Sequence, residues 1–352
     1  MPNPIVTEDL ESIIRHPLPW EEFAGKTVLI TGASGMLPAY MVETLLFLNL
    51  NRSLPPVRVI GVVRNLERAR QRFAEYLPDG NLTLIAQDVS RPLEIPGRVD
   101  YVVHAASQAS PKYYHTDPVG TILANTMGTH HLLSLARENE VAGFLFFSSC
   151  EVYGQVDESL IPISEETCGL INTMSVRSCY AESKRLGETI CASWHHQYGL
   201  PTRVVRIFSA FGPGLRLDDD RVFAEFIANV IQGKDIVMKS DGSALRTFCY
   251  AADAAAGFFT VLLKGRADQA YNIGNDRTET NIRDLAKLVA ELFPEKRIAV
   301  RRLETDAVSS HYQTPVSRVV PDISRARGLG WSPTTSLDES FRRTILSLQQ
   351  PA

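Results

Sequence analysis

The chain contains no run of about 18 apolar residues, so no membrane-spanning helix is expected. Cysteine is scarce, with five residues in 352 at Cys150, Cys168, Cys179, Cys191 and Cys249. They are too scattered for a disulfide framework and no pair has zinc-ligand spacing, so no metal site is expected. Buried or inert thiols in a reducing compartment are the expected state. Neither sign of charge dominates: 36 Lys and Arg against 40 Asp and Glu leave a net charge of -4. That excludes a broad electrostatic pull toward nucleic acid or an anionic membrane, and any anionic ligand must be held by a local site. The N-terminal segment carries Glu8, Asp9 and Glu11 and lacks a basic stretch followed by an apolar one, so a secretory signal is not expected and a cytoplasmic location is. Internal repeats and low-complexity tracts are also missing. What remains is an ordinary globular composition, 44% hydrophobic and 22% charged. Disorder would need less apolar content and more net charge. The length suggests about two domains.

Residues 1–24 read as a lead-in, with a short helix from Asp9 to His16 broken by Pro17 and Pro19. From Gly25 to residue 208, short β-rich runs alternate with helical segments. The runs are 27–30, 57–63, 82–85, 101–103, 144–147 and 203–208. Most are apolar throughout rather than alternating, as strands covered on both faces should be. Between them, Leu37, Met41, Leu45 and Leu48 share one helical face, as do Val119, Ile122, Leu123, Thr126 and Met127. Strand-helix alternation predicts right-handed crossovers and a doubly wound parallel α/β sheet. Residues 209–352 read as a smaller mixed region, with helices at 222–232, 251–264 and 281–293 and a strand at 269–274 returning to the main sheet.

The first strand runs into Thr31-Gly32-Ala33-Ser34-Gly35-Met36-Leu37-Pro38, and a helix follows. Glycines there let backbone turn tightly and approach a pyrophosphate seated on the helix N-terminus, so Gly32, Ser34, Gly35, Met36 and Leu37 are candidate dinucleotide contacts. Pro38 replaces the third glycine of the pattern and is tolerated in a first helical turn. The second strand ends at Arg64 rather than at an acidic residue. Arg64 suits a 2′-phosphate or an adenine face, which leaves NAD and NADP both open. Asp88, after the third strand, is placed to accept from an adenine amino group or to cap its loop.

Tyr180 and Lys184 are four apart on a helix-like run and share a face. Lys184 is expected to lower the Tyr180 phenol toward neutrality, making it a base for an alcohol that loses hydride to nicotinamide. Ser149, where the fifth strand ends, is a candidate partner for the same hydroxyl, at the sheet edge where such folds bind ligands. The fourth strand ends in His104-Ala105-Ala106-Ser107, whose small residues let a cofactor lie close; His104 has no evident partner and reads as structural.

With these motifs assembled, the chain resembles the extended short-chain dehydrogenase/reductase family of NAD-dependent nucleotide-sugar epimerases, dehydratases and decarboxylases. Arg206-Ile207-Phe208, Gly212-Pro213-Gly214, Arg246-Thr247-Phe248 and Leu329-Gly330-Trp331-Ser332-Pro333 add to the resemblance, which runs from about Gly25 to the C-terminus. It implies a tightly held, internally recycled NAD, with NADP open because of Arg64, and contacts to it from Val89, Ala105, Ala106, Ser107, Asn125, Tyr180 and Lys184 besides the glycine loop. It implies a nucleotide-diphosphate sugar as substrate, oxidised at C4, with Arg221, Arg246 and Arg318 near its phosphates and ribose. Ser209 stands where the family commonly carries asparagine.

The loop after strand five separates the reactions. The family's 4,6-dehydratases carry an Asp-Glu pair where this chain has Cys150-Glu151, and its simple 4-epimerases carry small residues. Ser149 two residues before Glu151, with no aspartate between, is similar to the UDP-glucuronate decarboxylases. So is the sugar loop from Ser107 to Tyr114, which contributes Ser110, Pro111 and Tyr114 as substrate contacts. Ser149, Glu151, Tyr180 and Lys184 are then the catalytic set. A 4-epimerase is the alternative, a dehydratase or a non-catalytic NAD(P)-binding protein less so. The resemblance also implies a homodimer, for which Leu132, Leu133, Leu135, Leu186, Ile190 and Trp194 offer apolar surface.

Overall fold

The computed structural model describes residues 3–303 and 318–349. The expected runs become β1 (Thr27–Thr31), β2 (Arg58–Val63), β3 (Leu82–Ala86), β4 (Tyr101–His104), β5 (Gly143–Ser149) and β6 (Thr202–Ile207). Short strands follow: β7 (Ala210–Phe211), β8 (Ile236–Met238), β9 (Leu245–Arg246) and β10 (Cys249–Tyr250). Then come β11 (Gln269–Ile273), β12 (Thr280–Asn281), β13 (Val300–Arg302) and β14 (Arg318–Val319). Strand β11 returns to the main sheet, as expected. The seven-stranded sheet has the order β11-β6-β5-β4-β1-β2-β3 with every pairing parallel, which is the doubly wound arrangement. The order reverses between β1 and β4, so the crevice at their C-terminal ends is where a ligand is expected.

Helices cover both faces, which explains the unbroken apolar runs. On β5, Leu145 and Phe147 enter one core while Phe144 and Phe146 enter the other. The first core is closed by α1 (Pro4–Arg15), α2 (Met36–Asn51), α3 (Leu66–Arg72) and α9 (Ala251–Lys264). Near the second lie α4 (Pro111–Thr116), α5 (Pro118–Asn125), α6 (Met127–Glu138) and α7 (Ser178–Tyr198). A third core, with Phe211, Phe223, Phe248 and Phe341 in mutual ring contact, gathers α8 (Val222–Gln232), α10 (Ile282–Glu291) and α12 (Leu337–Gln349). Helix α11 (Ser324–Gly328) packs beside β11. Among the described residues, no helix is long and apolar enough to cross a membrane.

Three expectations need correction. The lead-in does not stand apart: α1 begins at Pro4, and Leu10, Ile13, Trp20 and Phe23 are buried in the first core. Buried Asp9 ties it down, accepting from Tyr40 (2.6 Å), Tyr250 (2.7 Å) and Arg343 (2.9 Å). Helix α2 is therefore covered well beyond one face, and Tyr40, Val42, Glu43 and Thr44 are buried along with Met41 and Leu45. The stripe on α5 and the start of α6 is instead exposed at Val119 (64%), Ile122 (40%), Leu123 (39%) and Met127 (42%). Leu132, Leu133 and Leu135, expected to supply an outer apolar surface, are buried within the fold, whereas Leu186 on α7 is half exposed.

Candidate active site

The β1–α2 turn places Gly32 in the left-handed region (φ 64°), and Gly35 caps α2 with backbone alone. A Cβ on Gly32 would sit 2.9 Å from the Ala106 Cα, so this turn and the end of β4 meet at a distance only glycine permits. Pro38 is the third residue of α2, where its missing N–H breaks no intrahelical bond. First-turn amides of α2 have no acidic side chain among them, an arrangement that suits an anion. Thr31 joins the turn to β4: its hydroxyl accepts from the amides of Ala105 (3.2 Å) and Ala106 (3.1 Å) and meets His104 Nδ1 at 2.9 Å. His104 thus has partners the sequence did not reveal. Its Nε2 lies 3.2 Å from the Ala124 carbonyl, which can only accept. Burial lowers its pKa to about 3, so the neutral ring donates from Nε2 and accepts the Thr31 hydroxyl proton at Nδ1.

Where β2 and β3 end, Arg64, Ala86, Gln87 and Asp88 line an open cavity of about 290 Å³. Asp88 accepts from the Ser90 amide at 2.9 Å, and that bond, with nearby Arg64 and Arg91, holds its carboxyl below the usual range. Val89 is buried against the second core. A larger cavity, about 510 Å³, opens at the opposite edge of the sheet beside Lys26, Arg58 and Arg98, away from every expected site residue.

At the end of β5, Ser149 accepts from the Glu151 amide at 3.2 Å. Helix α7 crosses β5 closely because residue 187 is glycine: a Cβ there would meet the Phe146 ring at 2.5 Å. That approach buries Tyr180 and Lys184 beneath the sheet edge. The Lys184 Nζ donates to the Phe147 carbonyl at 2.5 Å and stands 5.7 Å from the Tyr180 ring centroid. Burial lowers the ammonium to about 7. Burial also pushes the Tyr180 phenol above its ordinary value, and the Ser149 hydrogen bond offsets this only in part. The expectation that Lys184 would bring the phenol toward neutrality is therefore not met: desolvation outweighs the neighbouring groups. In this arrangement the phenol is held in its protonated form.

Tyr114 lies nearly parallel on Tyr180, with ring centroids 4.9 Å apart and planes at 19°. The Arg177 guanidinium lies 5.6 Å from the Tyr114 ring and pairs with Glu151 at 3.6 Å. Glu151 acts electrostatically on Tyr180, Tyr114, Cys150 and Arg246, and through Arg177 it is joined to the ring stack on the phenol. Burial lifts the Cys150 thiol to about 12, which keeps it neutral. Ser183 accepts from Asn125 Nδ2 at 3.0 Å and donates to the Tyr180 carbonyl. Buried Asn125 Oδ1, Ser107 Oγ and Ser110 Oγ have no hydrogen-bond partner among the described residues. Ser110 and Pro111 open α4, Ser110 as an N-cap whose side chain makes no capping bond.

The three expected arginines differ. Arg221 caps α8, is gripped by Asp219 at 3.0 and 2.7 Å, and acts on both Tyr180 and Tyr114. Arg246 is partly buried on β9, donates to the Leu245 carbonyl at 2.7 Å and feels Cys150 and Glu151. Arg318, on β14 in register with Leu245, is clamped by Glu279 at 2.6 and 3.0 Å on the outer surface. Ser209 has a positive φ of 33°, a conformation asparagine tolerates better than serine. Arg177 escaped the sequence reading, although its position three residues before Tyr180 was a signal.

A profile described as the NAD dependent epimerase/dehydratase family matches residues 28–274. The chain is 34% identical over 315 residues to UDP-glucuronic acid decarboxylase 6 of Arabidopsis thaliana, covering 89% of this chain and 86% of that one. It is 34% identical over 322 residues to UDP-glucuronic acid decarboxylase 1 of Xenopus tropicalis, covering 91% and 71%. The fold is shared with the UDP-glucose 4-epimerase of Thermotoga maritima solved with UDP-glucose, at a TM-score of 0.76 and 23% identity over 92% of this chain and 98% of that one.

Proposed function

The chain belongs to the NAD dependent epimerase/dehydratase family and is a nucleotide-sugar-modifying enzyme, and from that premise we propose that it oxidises UDP-glucuronate at C4 and removes the C6 carboxylate as carbon dioxide. The observation that carries this reading is Glu151 paired with Arg177 over the Tyr114–Tyr180 ring stack, with neutral Cys150 in place of an acid. The relatives named UDP-glucuronic acid decarboxylase support it.

The chain fits a dinucleotide. The Gly32–Ala106 contact makes a floor that any Cβ would fill, the α2 N-terminus suits a pyrophosphate, and the Arg64–Asp88 cavity suits an adenosine. We assign Val89, Ala105 and Ala106 to the path between, and Ser107 and Asn125 bring polar atoms with no partner among the described residues. Bound there, NAD or NADP supplies hydride acceptance and return; Arg64 in place of an acid leaves the choice open. We assign the nucleotide diphosphate to the region after residue 208, where Arg221, Arg246 and Arg318 would hold it through charge-assisted bonds. For Arg318 this requires release from Glu279.

Ser149 and Tyr180 face the C4 hydroxyl and relay its proton as C4 is oxidised. Lys184, with a pKa lowered to about 7, can take or return a proton near neutrality. With C4 a ketone, C6 becomes the carboxylate of a β-keto acid. The C5–C6 bond breaks, carbon dioxide leaves, and the electron pair passes through C5 to the C4 oxygen. A protonated Tyr180 phenol and the Ser149 hydroxyl then stabilise the enolate where charge develops. Glu151 directs a proton to C5.

Incubation with UDP-glucuronate and no added reductant should release carbon dioxide and yield UDP-xylose or the 4-keto pentose. A UDP-galacturonate product would make the enzyme a 4-epimerase. Inertness to uronates, with loss of water from a neutral hexose nucleotide, would make it a dehydratase. The exposed residues Val119, Ile122, Leu123, Met127 and Leu186 on α5, α6 and α7 are the surface we assign to a homodimer.

A further inference from the structure

We infer that Arg177 is the residue that recognises the C6 carboxylate of the substrate, and that Glu151 occupies Arg177 until that carboxylate displaces it. The inference rests on the uronate reading above and deepens it.

A sugar whose C4 hydroxyl meets Ser149 and Tyr180 carries its C6 carboxylate one carbon further along. The carboxylate therefore comes toward Glu151, which follows Ser149 by two residues and pairs with Arg177 over the Tyr114 ring stacked on Tyr180. Two carboxylates at close range repel by several kcal/mol at low dielectric, so one cation must answer the newcomer. Among the described residues, the cations near these groups include Lys184, Arg177, Arg221 and Arg246, and Lys184 is buried with its Nζ donating to the Phe147 carbonyl. Arg221 is already gripped through two nitrogens by Asp219. Arg246 belongs to β9, among the residues assigned to the diphosphate.

Arg177 differs from both. Its ion pair with Glu151 is one long contact of 3.6 Å between side chains 42% and 44% exposed. Pairs of that kind are weak, typically about 0.2–1 kcal/mol, and cheap to exchange. The planar guanidinium can instead grip a carboxylate through two parallel hydrogen bonds. Its placement is built in: Arg177 is the N-cap residue of α7, three positions before Tyr180, and its guanidinium sits over the Tyr114 ring that stacks on Tyr180. When C6 departs as neutral carbon dioxide, Glu151 can re-engage Arg177, so neither charge is left unmatched. A neutral hexose has nothing to displace Glu151 with and is disfavoured.

Binding, rather than turnover, separates this role from a structural one. In the holoenzyme carrying Tyr180→Phe to stop the reaction, UDP-glucuronate, UDP-glucose and UDP are titrated calorimetrically. UDP-glucuronate should bind more tightly than UDP-glucose. Adding Arg177→Met should weaken UDP-glucuronate about 10- to 100-fold, the cost of losing a charged hydrogen-bonding partner, while UDP-glucose and UDP change less than about threefold. Arg177→Lys should keep part of the preference. Glu151→Gln, which removes the competitor, should tighten UDP-glucuronate up to about fivefold, in line with the worth of an exposed pair. A uronate preference that survives Arg177→Met overturns the inference and leaves the decarboxylase reading standing. Equal loss of all three ligands, or weaker uronate binding in Glu151→Gln, also overturns it. No uronate preference before Arg177 is altered sinks the uronate reading and this inference with it.

Discussion

The Lys184 ammonium is held 2.5 Å from the Phe147 carbonyl, buried between α7 and β5, with the Tyr180 ring centroid 5.7 Å away. A lysine in that position is a cost to folding as long as it is charged. Its pKa falls from 10.5 to about 7 on folding because burial disfavours the charge. Between those two values the unfolded chain binds the proton and the folded chain does not. Unfolding free energy therefore rises with pH across this window, by up to about 1.4 kcal/mol per pH unit from this one group. Lys184→Met should lack that rise. Urea unfolding of both proteins at pH 7.0, 7.75 and 8.5 checks it: the wild-type stability should climb relative to the variant, and parallel curves would show an ordinary lysine.

Tyr180→Phe should keep the fold and the bound cofactor and lose turnover by about 10² to 10⁴, the usual worth of a positioned acid or base. The ring stack on Tyr114 survives this change, since it needs no hydroxyl. Single-turnover absorbance at 340 nm on mixing with UDP-glucuronate is the measurement. A near-wild-type rate removes Tyr180 from the chemistry.

Asp9→Ala should destabilise the protein by about 3–5 kcal/mol, because it strands the Arg343 guanidinium and two buried hydroxyls at once. Tyr40, Tyr250 and Arg343 come from α2, β10 and α12, so one carboxylate fastens α1 to both parts of the molecule. Thermal unfolding followed by circular dichroism reads the loss. A change under about 1 kcal/mol would show that solvent reaches the cluster.

This is also where sequence reading ran out. The strands were legible because a strand covered on both faces is apolar at every position, as 27–30 and 144–147 are. Tyr180, Lys184 and Ser149 were legible because helical spacing and the end of a strand place them before any packing is known. Asp9 was not, since nothing local shows that residues 40, 250 and 343 converge on it. The α5 stripe was misplaced for a different reason: spacing shows that Val119, Ile122 and Leu123 share a face, not whether protein or solvent lies against it. The phenol of Tyr180 moved opposite to expectation because spacing reveals a nearby lysine but not the depth of burial.

That exposed stripe should be covered by a second copy. Val119→Glu with Leu186→Glu, on α5 and α7, should turn a dimer into a monomer by light scattering at micromolar concentration, because each change would bury a charge without a partner. Both residues are already half exposed or more, so the monomer itself should stay folded. A wild-type protein that is monomeric in the same measurement removes the dimer altogether.

Glu151→Gln distinguishes the steps of the reaction. The glutamine keeps the shape of the side chain and its place at the end of β5, while Ser149, Tyr180 and Lys184 are untouched. Oxidation at C4 uses only those three, so it should persist, seen as a rise in absorbance at 340 nm after UDP-glucuronate is added. Loss of the carboxylate leaves an enolate whose C5 needs a proton, and that delivery is the part assigned to Glu151. Completion should slow by about 10² or more if Glu151 is the acid. The 340 nm signal would then outlast its wild-type counterpart, while labelled carbon dioxide, which leaves before C5 is protonated, would keep its timing. If the absorbance change also keeps wild-type timing, Glu151 serves only as the partner of Arg177, and protonation at C5 comes from water.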